Sequence, residues 1–274
     1  MKCLICNSET KYFFSKKYTE KPFDSMMEDI GEVNYYKCRN CGFTLSKTHC
    51  NLDTERWNKL NFDFHHFLEN NSNSEIPINQ PPYLQQAIMI KVLVENEIIN
   101  FDSSLDFAGG YGTLSNILDR YFNLKLSVYD PFVKNNARNI YIDKKDLETY
   151  DTVLNSALFE HLTTRESFDE INDCVSNEGC VIVHTRISGY IPSDPNWFYL
   201  NPPVHCAFHT NKSMEILMRQ WNYKASIYCI SARSWILLKN DSKDLKRKVE
   251  LINKEFQTDY LTYKLGFVDY WKEY

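Results

Sequence analysis

Glycine is scarce in this chain, with eight residues among 274, and proline is nearly as rare at nine. No internal repeat or low-complexity tract appears. No apolar run approaches the roughly 20 residues that cross a bilayer. The opening MKCLICNSET lacks the long apolar stretch of a secretory signal. The expectation is a cytoplasmic protein with no membrane partner and with its cysteines reduced. The cysteine count of nine is odd, which argues against a disulfide framework. A basic excess is also missing: 31 Lys and Arg stand against 36 Asp and Glu, a formal net charge of −5. Nucleic-acid binders neutralise phosphates with basic side chains, so this balance disfavours a nucleic-acid partner. The one dense basic run, KDLKRK at 243–248, is interrupted by Asp244 and reads as a solvated helix face.

What is present is an ordinary globular composition, 43% hydrophobic and 24% charged, with five of the nine cysteines in the first fifty residues. Cys3 and Cys6 form one CxxC pair, and Cys38 and Cys41 form another. Each pair can wrap a metal with its backbone amides turned toward the sulfurs, and four thiolates make the closed tetrahedral shell of structural Zn2+. A closed shell leaves no position for catalysis. The 31 residues between the pairs exceed the usual zinc-ribbon gap, so a hairpin and a loop are expected there. Gly42 suits the second knuckle. His49 and Cys50 are spare donors, expected to pack rather than ligate.

The pattern implies three regions: a zinc-binding module at 1–55, a helical connector or lid at 56–95, and a large domain at 96–274. Residues 70–74 read as a turn. The stretch 81–99 reads as a helix with Pro82 in its first turn and Leu84, Ala87, Ile88, Val92, Val94 and Ile98 on its apolar positions. From residue 104 strands and helices alternate, which implies an α/β fold with a mostly parallel sheet covered on both faces. RNIYID (138–143) reads as a short strand. The segment from Leu245 reads as an amphipathic helix followed by an aromatic-rich end.

Leu105 to Gly112 (LDFAGGYG) joins a strand to a helix. Glycines there let the backbone approach a ligand and adopt positive φ, at the strand end where doubly wound sheets bind ligands. Asp130 follows 18 residues after Gly112, where an acid can take a ribose hydroxyl pair. Asp106 lies inside the motif itself, unlike the acid of dinucleotide folds.

These residues resemble the class I S-adenosylmethionine (SAM) dependent methyltransferases. The first motif matches through Asp106, Gly110 and Gly112, with Ala108 where a glycine is usual; alanine is expected to keep negative φ. The strand-two acid matches Asp130, and the later aromatic-Asp…Glu-His-Leu stretch matches Tyr150, Asp151, Val153, Leu154, Glu160, His161 and Leu162. The resemblance implies a Rossmann-like class I methyltransferase sheet, in addition to the small N-terminal zinc-knuckle domain, and SAM as cofactor. It places Asp106 near the methionine amino group, and Ala108, Gly109, Gly110 and Gly112 around the methionine moiety. Asp130 falls on the ribose, Asp146 or Leu147 beside the adenine, and Asn155 and Ser156 over the cofactor.

Two methyltransferase groups are similar in carrying a cysteine-rich front end: sugar methyltransferases acting on nucleotide-linked deoxysugars, and rRNA guanine methyltransferases. The second normally has a histidine in the knuckle where this chain has Cys38 and Cys41. The first implies a sugar-like hydroxyl acceptor and a place in carbohydrate biosynthesis. Its carbon-methylating members carry a further domain, which leaves O- or N-methylation open. Deprotonating a hydroxyl suits a histidine near its natural pKa. His205 is the first candidate base and His161 the second; His184, His209 and the His65-His66 pair follow. Trp197, Phe198 and Tyr199 are placed to stack on a sugar or base. The rival readings are an RNA base methyltransferase, with Lys11, Lys16, Lys17, Lys21, Lys37, Arg39 and Lys47 as a clamp, and a non-catalytic scaffold. The sequence leaves the oligomeric state open.

Overall fold

In the computed structural model, residues 1–70, 80–133, 140–241 and 244–269 are described, the side chains of 65 and 68–70 excepted. Most of the expected 70–74 turn and the end of the aromatic tail lie outside the described residues. In chain order the elements are β1 (Thr10–Lys16), α1 (Phe23–Met26), β2 (Val33–Cys38), β3 (Thr44–Ser46), α2 (Lys47–Cys50), α3 (Thr54–Asn70) and α4 (Tyr83–Glu95). Then come β4 (Ser104–Phe107), α5 (Thr113–Ile117), β5 (Ser127–Tyr129), β6 (Tyr150–Ser156), α6 (Arg165–Asp173), β7 (Val175–His184), β8 (Ile187–Ser188) and β9 (Ala207–Thr210). The last are α7 (Asn211–Gln220), β10 (Ala225–Cys229), β11 (Ser234–Leu238), α8 (Leu245–Phe256) and β12 (Leu261–Leu265).

The chain divides into two compact units. The first comprises residues 1–80, 160–167 and 186–213; the second comprises 81–159, 168–185 and 214–274. These bounds differ from the expected regions at 1–55, 56–95 and 96–274. The physical cause is non-local strand pairing. In the first unit the sheet runs β1-β2-β3-β9-β8, with Thr44 opposite Phe208 and Leu45 opposite Ala207. The 186–213 segment thereby completes the cysteine-bearing sheet. Its core gathers Phe14, Tyr18, Val33, Tyr35, Leu60, Tyr199, Leu200 and Phe208.

Helix α4, expected in the connector, belongs to the second unit, where Ala87, Met89, Ile90 and Leu93 are buried with Leu154, Ile182 and Ile236. Its inward face also corrects the expectation. Leu84 and Ile88 are exposed, and Gln86 is buried instead. A helix apolar on nearly every side gives periodicity little with which to choose a face.

The second unit holds a sheet ordered β12-β10-β11-β7-β6-β4-β5. β5, β4, β6 and β7 are parallel, while β11, β10 and β12 close the far edge with antiparallel pairs. This is the expected Rossmann-like α/β sheet, mostly parallel with an antiparallel far edge. β12 pairs with β10 where the sequence had suggested only a helix and a tail. Among the described residues of the expected third strand (138–143), Tyr141 forms a parallel bridge with Val128, and residues 138 and 139 lie outside them. From β4 the chain crosses to β5 on one side, and from β6 it crosses to β7 on the other. Right-handed crossovers then put α5 and α6 on opposite faces. The strand order reverses between β4 and β6, and in such sheets the crevice outside those carboxyl ends is where ligands bind.

Candidate functional site

At the carboxyl end of β4 the chain makes a tight turn over residues 108–112. The Ala108 and Gly109 amides donate to the Tyr129 carbonyl at 2.7 and 3.2 Å, and the Tyr141 hydroxyl donates to Gly110 O at 2.9 Å. Gly110 and Gly112 sit at φ +54° and +68°, where glycine costs least. A Cβ on Gly109 would stand 2.7 Å from the Asp106 carboxyl carbon, whereas one on Gly110 would meet nothing within 4 Å. Gly109 therefore admits the Asp106 side chain, and the turn is open above Gly110. Ala108 has φ +62°, which corrects the expected negative value. The turn geometry fixes the left-handed conformation, and the alanine Cβ is strained by about 1 kcal/mol.

Asp106 is buried, and its Oδ1 has no hydrogen-bond partner among the described residues. Burial first, and the Asp130 charge second, push its carboxyl up to about 7. Asn155, at the end of β6, is fully buried with neither amide atom partnered among the described residues. Unsatisfied buried polar groups are costly, so two of them at the switch point mark a place built for a polar ligand. The ammonium and carboxylate of the SAM methionine are chemically suited to this carboxylate and this amide.

Other expected cofactor residues are placed as follows. Asp130 Oδ2 accepts from Gly110 N, and its Oδ1 accepts from Phe132 N and Val133 N, each at 2.8 Å. The carboxylate thus staples the glycine turn to the loop after β5. Ser156 Oγ lies 3.1 and 3.2 Å from the Gln86 side-chain nitrogen and oxygen. Sequence reasoning passed over Gln86; a polar residue on the buried stripe of an apolar helix was the available signal. Asp146 is exposed in a short helical turn at 144–146, and Leu147 follows it half-buried.

In the first unit, Cys3, Cys6, Cys38 and Cys41 place their sulfurs within 4.8 Å of one another. Cys3–Cys41 is 3.6 Å, Cys6–Cys38 is 3.4 Å and Cys6–Cys41 is 3.6 Å. A tetrahedron with 2.3 Å zinc–sulfur bonds has edges of about 3.8 Å, so the residues fit the ion. The Ile5 and Cys41 amides point at the Cys3 and Cys38 sulfurs at 3.4 and 3.5 Å, as knuckles require. His49 stays outside, bonded to Ser46 Oγ through Nδ1 at 2.6 Å, and burial holds it down at about 4. Cys50 Sγ meets the Thr163 carbonyl at 3.4 Å.

The same unit brings the two candidate bases together. The His161 and His205 rings lie 5.1 Å apart, edge to face. His205 is buried, and burial depresses its pKa. Its Nδ1 lies 2.8 Å from the Tyr199 carbonyl, so Nδ1 carries the proton and Nε2 the lone pair. Glu160, which the sequence offered only as part of a motif, is buried and accepts from the Tyr199 hydroxyl at 2.7 Å. His209 is buried against Phe43 and held down at about 3 by that burial. In the second unit, His184 Nδ1 bonds the Arg233 carbonyl at 2.9 Å. His66 stacks on Phe62.

Of the three aromatics proposed for stacking, Tyr199 is buried and Trp197 half-buried. Phe198 is exposed, with the Arg186 guanidinium 4.9 Å from its ring. Among the lysines of the supposed RNA clamp, Lys16 donates to Pro195 O, and Lys37 and Lys47 lie over Phe13 and Tyr36. No helix among the described residues is long and apolar enough to cross a membrane.

No family model matches the chain, and no curated protein matches it in sequence. Among solved structures it is similar to the plantazolicin methyltransferase BpumL bound to a desmethyl-plantazolicin analogue and SAH. The identity is 15% over 65% of this chain and 92% of that one, with a TM-score of 0.44. It is also similar to a SAM-dependent methyltransferase from Archaeoglobus fulgidus, at 14% identity over 74% and 99% of the two chains and a TM-score of 0.41. A possible histamine N-methyltransferase from Thermotoga maritima is 10% identical over 67% and 98%, with a TM-score of 0.38.

Proposed function

We propose that the protein is a SAM-dependent methyltransferase acting on a hydroxyl of a small, sugar-like acceptor, with Zn2+ as a structural ion in its first unit. The observation that carries the reading is the buried Asp106 Oδ1 and the Asn155 amide, neither with a partner among the described residues, flanking an open glycine turn at the switch point. SAM, when bound, supplies a methyl group activated on a sulfonium. Asp106 would accept hydrogen bonds from the methionine ammonium, and Asn155 would pair with the same moiety. Gly110 and Gly112 leave room for it. Asp130 keeps lone pairs beyond its backbone bonds for the ribose hydroxyls. Cys3, Cys6, Cys38 and Cys41 would hold the zinc and fix the first unit's sheet.

The candidate bases for the acceptor's proton are His205 and His161, with Glu160 beside them in the first unit. The acidic net charge supports a small acceptor over RNA. The reading is tested by titrating SAH into the wild type, Asp106→Asn and Asn155→Ala. Each variant is expected to lose about tenfold in affinity or more, the worth of one charge-assisted or buried hydrogen bond. Unchanged affinity in both removes the cofactor assignment.

A further inference from the structure

Glu160, His161 and His205 each offer a donor atom, and the three lie within 4.8 Å of one another. All three belong to the first unit, and they form a set separate from its four cysteines. Two imidazoles and one carboxylate are a borderline-hard donor set suited to a divalent transition cation with open positions. The surroundings are those a ligand set needs. With Nδ1–H committed to the Tyr199 carbonyl at 2.8 Å, Nε2 is the His205 atom with a lone pair to give. Metal-ligating histidines are held in this way by a carbonyl or carboxylate on the far nitrogen. The carboxylate is oriented too: the Tyr199 hydroxyl donates to Glu160 Oε1 at 2.7 Å and accepts from the Arg186 amide at 3.0 Å. Tyr199 therefore supports two of the three donors, one through its carbonyl and one through its hydroxyl.

We infer that Glu160, His161 and His205 form a second metal site, which binds a divalent cation such as Mn2+ or Zn2+ and leaves coordination positions open to a hydroxyl-bearing ligand. The inference stands on its own donors, independent of the SAM reading. Bound there, the cation's charge would lower the pKa of a ligand hydroxyl, and the proton would leave to solvent. His161 closes the site and is half-buried, so it is the ligand best replaced without disturbing the core.

The test uses full-length protein with its cysteine site filled by zinc, titrated with Co2+ alone. Uptake is followed by calorimetry and visible absorption, and SAH binding is measured in parallel. The expected result is one further equivalent of cobalt with weak d–d bands and no intense thiolate-to-cobalt charge transfer. His161→Ala should lower the cobalt affinity at least about tenfold, and Tyr199→Phe should lower it by about tenfold as a supporting group does. Both should leave SAH affinity unchanged. Circular dichroism establishes that each variant is folded, and Tyr199→Phe serves if His161→Ala is not. The inference is overturned if the wild type takes up no further cobalt, if the spectrum shows thiolate ligation alone, or if folded variants bind cobalt like the wild type. Loss of SAH binding in the wild type would instead strike the methyltransferase reading and leave the metal site standing.

Discussion

At Asp106 burial and function oppose each other. The folded protein holds this carboxyl up at about 7, above its unfolded value near 3.8. The native state therefore binds more protons than the unfolded state across that interval, and this group's contribution to stability declines as pH rises from about 4 to about 7. A cationic ligand group reverses the preference by favouring the carboxylate. SAH affinity should therefore be about tenfold weaker at about pH 6 than at about pH 8, because most of the carboxyl must first lose its proton. Calorimetry at the two values checks this, and Asp106→Asn should flatten the profile. Ala108 offers a second test at this scale. Its φ of +62° strains the alanine, so Ala108→Gly should stabilise the protein by about 1 kcal/mol in urea unfolding. A destabilised variant would mean that the alanine methyl makes contacts worth more than the strain.

Among the elements, the β4–α5 turn depends on Asp130 as a staple, not only as a ribose acceptor. The carboxylate takes three backbone N–H groups. Asp130→Ala should therefore cost about 2 kcal/mol of stability along with SAH affinity, while Asp130→Asn keeps part of both. Thermal unfolding and SAH titration of the pair separate the two effects. The turn, Asp106, Asp130 and the strand carrying Asn155 were legible because their signals are local: a glycine cluster, an acid at a fixed offset and short apolar runs. What was illegible depended on distant partners. β8 has two residues and β9 four, and β9 is a strand because it pairs with β3 on one side and β8 on the other. β12 depends on β10 in the same way. The positive φ of Ala108 was hidden because an alanine gives no sign of it. Glu160 read as a motif letter, and only folding showed the Tyr199 hydroxyl bonded to it.

On the scale of the whole molecule, the cysteine cluster is expected to hold the first unit together. Cys3 and Cys6 precede β1, Cys38 ends β2, and Cys41 lies in the turn before β3. Cys41 also offers its carbonyl to the Thr210 hydroxyl, at the end of β9. One metal held there would tie three strand ends whose loops would otherwise be free, and ligand loss should act on the whole sheet. Protein purified without chelator should contain one tightly held zinc in this cluster. Cys38→Ser should lose it and lower the melting temperature of the first unit, with the second unit's transition less affected. Zinc-free protein with an unchanged melting profile would count against the structural site.

Methyl transfer to a small acceptor is measured most directly by following labelled methyl from SAM into a fractionated extract of the source cell. Wild-type protein is expected to place label in the acid-soluble small-molecule pool, and Asp106→Asn to place far less. Label in RNA would contradict the acceptor class while keeping the chemistry. No label together with no SAH binding would contradict the claim itself and leave a scaffold built on a methyltransferase fold.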